Sequence, residues 1–490
     1  MSTADLELKE TAKRVLKEPL HQLPVLASER TLVDQEEALA LATEQRLATA
    51  MPWAVEVIGM PRKTYGTRPL TILEPCARTY YEALAKGTTA WLESPSRATP
   101  FTEHTAFGSG PVSTEEQRIV DADIAACYEY ISHPTLAEEL VLQGAPYELV
   151  ELLHSFLNAI SQRQVGIPQA LEGSHLLADA YLARLERAIA RTGRPVHRYA
   201  DDFRIVCSNW TDAHQAIEQL STEARSVGLA LAEGKVNIRS ARQIREDERA
   251  KEALFDDHKA RAADTLRTIE FIQTGYDDFD LEEVDAGDVE VDAQALRTII
   301  EEWVGESKEI SSVHPRLVAL ALHILTAAEK RLEDDLLIGV LERDPIRLPA
   351  VAKYVSTREG EVAENWKTLS RLTKLERLGP WSRIWILSTA ATLPRPKGRQ
   401  SKPLLDWAVS QLESPLETVR AEAAALLALH HRVKVEKIAQ LYVRASGVTR
   451  LALAGTVGTL DGGHSSSVGQ ALRDESALNR IAYRWGAEKP

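Results

Sequence analysis

The 490-residue sequence has only three cysteines and no long uninterrupted apolar stretch. Cys76, Cys127 and Cys207 are scattered without metal-ligand spacing, so we expect reduced thiols and no disulfide framework. No apolar run reaches the roughly 20 residues that a membrane-spanning helix needs. The N-terminus has neither a basic nor an apolar signal-peptide region. The sequence therefore predicts a cytoplasmic protein with no membrane partner.

Positive charge is also scarce, because the formal net charge is −14. Proteins that bind nucleic acid usually carry a basic surface, so the overall charge argues against that class. The charge is uneven, however. Residues 276–292 hold much of the acidic excess, whereas residues 62–68 are basic. A locally positive groove on an acidic protein therefore stays open as an interpretation.

The pattern of apolar residues divides the chain into two parts. Up to about residue 245, helical and strand patterns alternate, which is typical of an α+β domain, and they include a predicted loop at 94–111 and an amphipathic helix at 172–191. From residue 294 onward the sequence predicts only short helices, separated by proline-containing breaks; they include helices at about 294–304, 315–331 and 474–485. Residues 414–427 resemble one HEAT repeat, and paired short helices favour an α-solenoid.

Two groups of aspartates stand out in the first part. Asp121 and Asp123 alternate along a predicted strand, so both side chains point to one face. Asp201 and Asp202 lie between two short runs of strand-forming residues, at the predicted tip of a β-hairpin. Taken alone, an Asp-Asp pair is more often a solvated turn. Adjacent carboxylates repel each other, and a divalent cation at the tip would relieve that repulsion.

The order of the motifs gives the pair a more specific interpretation. Residues 68–78, 121–133, 166–182 and 199–202 together resemble the palm of reverse transcriptases of the retron, group II intron and bacterial defence kinds. The resemblance covers about residues 50–245. It implies nucleotidyl transfer, an in-line displacement assisted by two Mg²⁺ ions about 4 Å apart, with Mn²⁺ as a substitute.

By this resemblance, Asp123, Asp201 and Asp202 are the catalytic residues and metal ligands, and the Ile124 carbonyl is a further ligand. The family spacing favours Asp123 over Asp121 because it places an aromatic residue five positions further on. That residue, Tyr128, would exclude a 2′-hydroxyl and so select deoxynucleotides; the alternative is a core aromatic. The resemblance also implies nucleotide-site roles for Arg68, Arg78, Gln169 and Lys235, with Tyr199 and Ser174 as further motif residues.

Some of these assignments have alternatives. A structural salt bridge is nearly as good an interpretation of Arg78, and a solvated lysine is an equal one for Lys235. The chain also departs from the family after Gln169. Ala170 stands where the family usually has glycine, and Leu171–Gly173 replaces a proline-containing turn. Because relatives contact the template with this backbone, the departure puts template handling in question.

The resemblance predicts an α+β right-hand polymerase with fingers and palm, followed by an all-α, HEAT-like repeat domain. The whole arrangement resembles defence-associated, abortive-infection reverse transcriptases, which implies dNTPs, an RNA template or non-coding RNA, a DNA product, a homo-oligomer, and a non-standard template or protein priming. A retron-type enzyme and a catalytically silent scaffold that binds RNA or protein are the alternatives. The predicted segments are N-terminal helices (1–48), fingers and palm (49–245), a thumb-like connector with an acidic linker (246–293) and helical repeats (294–490).

Overall fold

A computed structural model describes most of the chain outside the acidic segment. The described residues are 6–18, 20, 22–49, 52–62, 66–92, 101–110, 116–161, 163–247, 249, 300–301, 303–305, 322, 332–462, 464 and 466–488. Almost all of the predicted connector and acidic linker (246–293), and most of the helices predicted at 294–304 and 315–331, lie outside them. Within the described part, no helix is both long and apolar enough to cross a membrane.

The chain forms two compact units. One lies within Tyr81–Asp285, and the other combines Ser2–Tyr80 with Ala286–Pro490. The helix α4 (Pro75–Thr89) contains the boundary between them. The predicted segment boundaries at residues 48, 245 and 293 stay predictions.

The first unit is built on a four-stranded antiparallel sheet in the order β4-β5-β3-β6. β3 and β5 lie at its centre, and their side chains Ile119, Val120, Phe203 and Ile205 are buried. The long helix α10 packs on β3 and β5, and the other long helix, α9, packs on β4 and on α10. The strands are β3 (Arg118–Asp123), β4 (Val196–Tyr199), β5 (Asp202–Cys207) and β6 (Asn237–Ser240). The helices are α5 (Phe101–Ala106), α6 (Cys127–Tyr130), α7 (His133–Leu142), α8 (Tyr147–Ile160), α9 (Glu172–Ala190) and α10 (Trp210–Ser226).

The second unit joins an N-terminal group of elements to the C-terminal helices. Its only sheet among the described residues is an antiparallel hairpin of β1 (Val55–Pro61) and β2 (Thr67–Leu73). The N-terminal helices are α1 (Leu8–Lys17), α2 (Ala27–Arg30) and α3 (Glu36–Leu47). The C-terminal helices are α11 (Asp334–Arg343), α12 (Leu348–Thr357), α13 (Val362–Leu372), α14 (Pro380–Thr392), α15 (Lys402–Gln411), α16 (Glu417–Leu429), α17 (Val435–Val443), α18 (Arg450–Asp461), α19 (Ser467–Glu475) and α20 (Ala477–Ala487).

The C-terminal region is mostly helical, as the sequence predicted. α14, α16, α18 and α20 pack one against the next, and the intervening helices α15, α17 and α19 pack beside them. This alternation is what a solenoid of helix pairs would show. The HEAT-like assignment stays a prediction.

Two local predictions were wrong. The sequence predicted one helix over 474–485, but the chain breaks at Ser476, which has an extended backbone and caps α20 by accepting a hydrogen bond from the Asn479 N–H. The predicted loop at 94–111 contains the helix α5. One short turn of helix is easily hidden in a stretch rich in serine, threonine and glycine, because tertiary contacts rather than propensity stabilise it.

Candidate active site

The tip of the β4–β5 hairpin carries the adjacent aspartates. Tyr199 pairs with Asp202, so Ala200 and Asp201 form a two-residue turn. Ala200 has a left-handed φ of 54°, which an alanine adopts at some cost. The tight turn therefore places the half-exposed Asp201 at the end of the sheet and leaves Asp202 as the first residue of β5.

Asp123 meets this tip from the neighbouring strand. It is the last residue of β3 and lies directly opposite Asp202 in the antiparallel register. The Ile124 N–H donates to the Asp201 carbonyl at 3.2 Å, which ties the end of β3 to the turn. The sheet thus brings together Asp123, Asp201 and Asp202, three residues that the sequence assigned to one site.

The electrostatics of the cluster are unfavourable without a cation. Burial, together with the charges of Asp201 and Asp123, raises the pKa of Asp202 to about 8. Asp123 itself is buried. A carboxyl group that holds its proton so far above its ordinary range marks a place where another positive charge would be bound favourably.

Lys235 supplies one such charge. Its Nζ donates to Asp123 Oδ2 at 2.5 Å. The lysine is placed by the short 3₁₀ turn Glu233–Lys235, and the Ala232 N–H before that turn donates to the Asp123 carbonyl at 2.8 Å. Partial burial lowers the pKa of Lys235, but the hydrogen bond and charge of Asp123 outweigh it, so the pKa is raised overall. The ammonium is therefore bound at the cluster as a cation.

The three carboxylates fit divalent metal in their chemistry, because Mg²⁺ prefers oxygen ligands. They are not assembled into a ready-made site. Within the described ranges, no three His, Cys, Asp or Glu side chains are grouped closely enough to hold a metal ion. The Lys235 ammonium group contacts the Asp123 carboxylate oxygen that would otherwise be available to a metal ion.

Asp121 has a different role from Asp123. Its Oδ1 accepts from Arg204 Nε at 2.7 Å, and its Oδ2 accepts from Arg239 Nε at 2.9 Å. Arg204 is buried and also donates to the carbonyls of His104 and Thr105. Two guanidinium groups therefore neutralise Asp121, which leaves Asp123 as the acid of β3 that faces the hairpin tip.

Arg198 was not identified from the sequence, yet it contacts the turn directly. Its side chain is only 4% exposed, and Nη1 donates to Asp179 Oδ1 at 2.6 Å. The same nitrogen donates to the Ala200 carbonyl at 2.9 Å, and Nε donates to Glu186 Oε2 at 3.1 Å. Arg198 thus joins the turn to α9. The only sequence signal for it is a basic residue beside the aspartates, which does not identify its partners.

The aromatic residue of the tip, Tyr199, is buried against the helix α5. Its ring meets the edge of Phe101 at a centroid distance of 5.0 Å, and His104 lies 6.1 Å away. His104 Nδ1 is 3.0 Å from His197 Nδ1. Burial lowers the pKa of His104 to about 3, and the nearby Arg204 lowers it in the same direction. Burial also lowers the pKa of His197, so both histidines are neutral packing groups between α5 and β4 at ordinary pH.

Tyr128 lies on α6, five residues after Asp123, and only 8% of it is exposed. Its hydroxyl is 2.7 Å from Nδ1 of His175, and the two rings meet edge to face. Burial raises the pKa of the neighbouring Cys127 thiol far above its usual range, and the charges of Asp201 and Asp123 contribute. This shared electrostatic environment shows that α6 is close to the carboxylate cluster.

The region that contains the carboxylate cluster also matches a known protein family. Residues 61–265 match the family model described as reverse transcriptase (RNA-dependent DNA polymerase). This region, somewhat less than half of the chain, is similar to a reverse transcriptase domain. Among curated proteins, none matches the chain.

Two solved structures share a distant likeness with the chain. Telomerase from Candida albicans, in complex with a fragment of telomeric RNA, is 10% identical with a TM-score of 0.30, over 70% of this chain and 66% of that one. Telomerase from Candida tropicalis, in a similar complex, is 11% identical with a TM-score of 0.29, over 92% and 68%. Scores this low carry no argument about function.

The backbone directly after Gln169 is strained. Gln169 is buried, and Ala170 follows with a left-handed φ of 67°. A glycine would adopt that conformation without a clash at Cβ, which gives a structural reason for the family preference. Ser174 is fully buried, and its hydroxyl contacts the Tyr81 hydroxyl at 2.6 Å and the Pro168 carbonyl. Ser174 therefore anchors the start of α9.

The two basic residues of the predicted finger motif lie in the second unit. Arg78 is buried on α4, where it donates to Glu29 Oε1 at 2.8 Å and to the Glu18 carbonyl at 2.5 Å. The salt-bridge alternative for Arg78 is therefore the arrangement observed. Arg68 is half-buried on β2, opposite Met60. The roles of both in triphosphate binding stay predictions.

Proposed function

We propose that the chain is a DNA polymerase that adds dNTPs to a 3′-hydroxyl by two-metal nucleotidyl transfer. The observation that carries this proposal is the cross-strand pair of Asp123 and Asp202 beside the half-exposed Asp201, within a region that matches reverse transcriptases. Carboxylates from neighbouring strands are the donor set that such a reaction uses.

In this proposal, Asp123, Asp201, Asp202 and the Ile124 carbonyl hold the Mg²⁺ ions. When bound, these ions activate the attacking hydroxyl and neutralise the leaving pyrophosphate. Lys235 would have to release Asp123 as the metal binds, and its ammonium would then lie where it can interact with a phosphate or donate a proton. Tyr128 would exclude the 2′-hydroxyl of a ribonucleotide, and Gln169 would contact a base.

We further propose a role in anti-phage defence of the abortive-infection kind, with an RNA template or non-coding RNA and with protein priming or no conventional template. The support is the resemblance of the palm motifs to that group, together with a mostly helical C-terminal region. The strained backbone at Ala170 supports non-standard template handling. HEAT-like repeats, oligomer formation and a cytoplasmic location belong to the same proposal.

One observation favours a second candidate, a catalytically silent scaffold. The Lys235 ammonium is hydrogen-bonded to the Asp123 carboxylate, where a metal ion would bind. Among the described residues, the three carboxylates are not grouped closely enough to form a metal site. An ammonium can replace a metal permanently in a palm that has only a structural role. The experiment that tests the first proposal also separates it from this one.

The experiment measures incorporation of labelled dNTPs by the purified full-length chain with Mg²⁺, with and without added RNA. We expect incorporation by the wild type and by Asp406→Asn, a control in an exposed surface ion pair with Arg432. We expect none by Asp123→Asn. No labelling by any variant under any condition would support the scaffold.

The nature of the primer is read from the same product. Protease treatment shortens or releases a protein-primed product, and RNase does the same to an RNA-linked one. A product sensitive to RNase and joined to RNA would favour the retron-type alternative. A product resistant to both treatments indicates free synthesis.

A further inference from the structure

The Tyr128 ring has a partner that the sequence motifs do not identify. His175 is half-buried on the first turn of α9, and its Nδ1 lies 2.7 Å from the Tyr128 hydroxyl. The ring centroids are 5.8 Å apart, and the planes are 86° apart. A direct hydrogen bond combined with an edge-to-face contact fixes both the position and the tilt of the Tyr128 ring.

The backbone that carries Tyr128 is held from one side. The Tyr128 carbonyl accepts from the Ile167 N–H at 2.9 Å, and the Ile131 carbonyl accepts from the Gly166 N–H at 2.8 Å. Gly166 has a φ of 88°, and a Cβ there would lie 3.2 Å from the Glu129 carbonyl oxygen. Because the backbone of α6 is packed this closely, the remaining freedom of Tyr128 is rotation of its side chain.

The backbone that carries His175 is held as well. The Gly173 N–H donates to Glu82 Oε2 at 2.8 Å, and a Cβ on Gly173 would lie 2.7 Å from the Ala85 Cβ. The adjacent Ser174 is anchored through its hydroxyl to Tyr81. His175 is thus a fixed point against which the tyrosine side chain is oriented.

We propose that His175 is a positioning residue for sugar selection, and that it acts by holding the Tyr128 ring beside the nucleotide. This inference rests on the proposed function, in which Tyr128 faces the incoming sugar. A ring held by a hydrogen bond excludes an extra hydroxyl more effectively than one that can rotate aside. The same bond engages the tyrosine hydroxyl, so it is not offered to a ribose. Discrimination between dNTPs and rNTPs is therefore a property of the pair.

The test compares kcat/KM for a dNTP and the matching rNTP in the full-length enzyme. We expect His175→Ala to lower the dNTP preference about fivefold, the effect of losing one ordinary hydrogen bond. The dNTP kcat/KM should stay within about twofold of wild type, since no group that touches the reacting atoms is removed. Tyr128→Phe, which keeps the ring and loses the bond, should lower the dNTP preference by a similar factor.

The double variant and the rescue identify the mechanism. His175→Ala combined with Tyr128→Phe should lower the preference no further than either single change, because both remove one shared bond. His175→Asn, which retains a polar atom near the position of Nδ1, should recover most of the preference. His214→Ala is the matched control, because His214 is exposed on α10, where its ring meets Trp210 of the same helix, and its loss should leave the preference at the wild-type value.

The outcomes separate this inference from the proposed function. If the wild type incorporates dNTPs and His175→Ala keeps the full preference while folding normally by circular dichroism, the positioning role is overturned and the polymerase stands. Independent, additive losses from the two single changes would also overturn it. If the wild type incorporates neither nucleotide class, the polymerase proposal fails and this inference fails with it.

Discussion

Arg198 gives the most decisive prediction about how the catalytic hairpin is held. Replacing it with alanine removes the guanidinium that pairs with Asp179 and donates to the Ala200 carbonyl. The partner carboxylate of Asp179 is only 11% exposed, so it would remain charged with little access to water. Breaking a buried pair in this way costs about 3–5 kcal/mol.

The remaining contacts of Arg198, with Glu186 and the Ala200 carbonyl, add little to this loss of stability. Glu186 is 33% exposed, so water can replace most of its interaction with Arg198. The Ala200 carbonyl loses one hydrogen bond, worth about 1 kcal/mol. We therefore expect Arg198→Ala to lower the free energy of unfolding by roughly 3–5 kcal/mol, with the catalytic turn less well fixed.

Urea unfolding followed by circular dichroism measures this change. Arg242→Ala is the control, because Arg242 and Glu246 form an exposed pair that should be worth less than about 1 kcal/mol. The double variant Arg198→Met with Asp179→Leu should recover much of the loss, since no charge is then left buried. A loss below about 1 kcal/mol for Arg198→Ala would refute the reasoning.

Three further predictions concern the turn, the carboxylates and the lysine. Ala170→Gly should raise stability by about 0.5–1 kcal/mol in thermal unfolding, because φ is 67° there; a loss would contradict this. The pKa of Asp202 in the folded protein is raised to about 8, so in metal-free buffer the folded protein keeps this proton while the unfolded chain loses it from about pH 4 upward. The free energy of unfolding should therefore fall as the pH rises from about 4 toward 8. Wild type should therefore lose stability relative to Asp202→Asn from about pH 4 to 8 in urea titrations, and parallel profiles would contradict it. Lys235→Met should bind Mg²⁺ two- to fivefold more tightly, roughly the effect of an exposed ion pair, and calorimetry showing weaker binding would exclude competition at Asp123.

Local patterns were sufficient to predict the framework of the site. β3 and the β4–β5 hairpin were predicted because strand-forming residues flank the aspartates, and both ends of α9 were predicted within one residue. Local patterns also predicted that the aspartates lie on a strand and at a hairpin tip, since strand periodicity and a two-residue turn are short-range properties. The choice of Asp123 over Asp121 came from the resemblance to the family. The reverse transcriptase match covers these same elements.

The interactions that the sequence did not predict are contacts between residues far apart in the chain. Arg78 is paired with Glu29, which lies 49 residues before it. The pairing of Arg198 with α9 and the contact of Tyr128 with His175 likewise depend on how helices pack on the sheet. No residue pattern within a short window specifies such partners. The short helix α5 was missed for the same reason, because its contacts with Tyr199 and His197 stabilise it.

The central claim is that the acids at the hairpin tip perform metal-dependent nucleotidyl transfer. The most direct measurement is the rate of dNTP incorporation at saturating Mg²⁺ by wild type and by Asp201→Asn, with equal folding verified by circular dichroism. Asp201 lies at the tip and is half-exposed, so this change should preserve the fold. We predict a loss on the order of 100-fold or more. Equal rates for the two proteins would contradict the account.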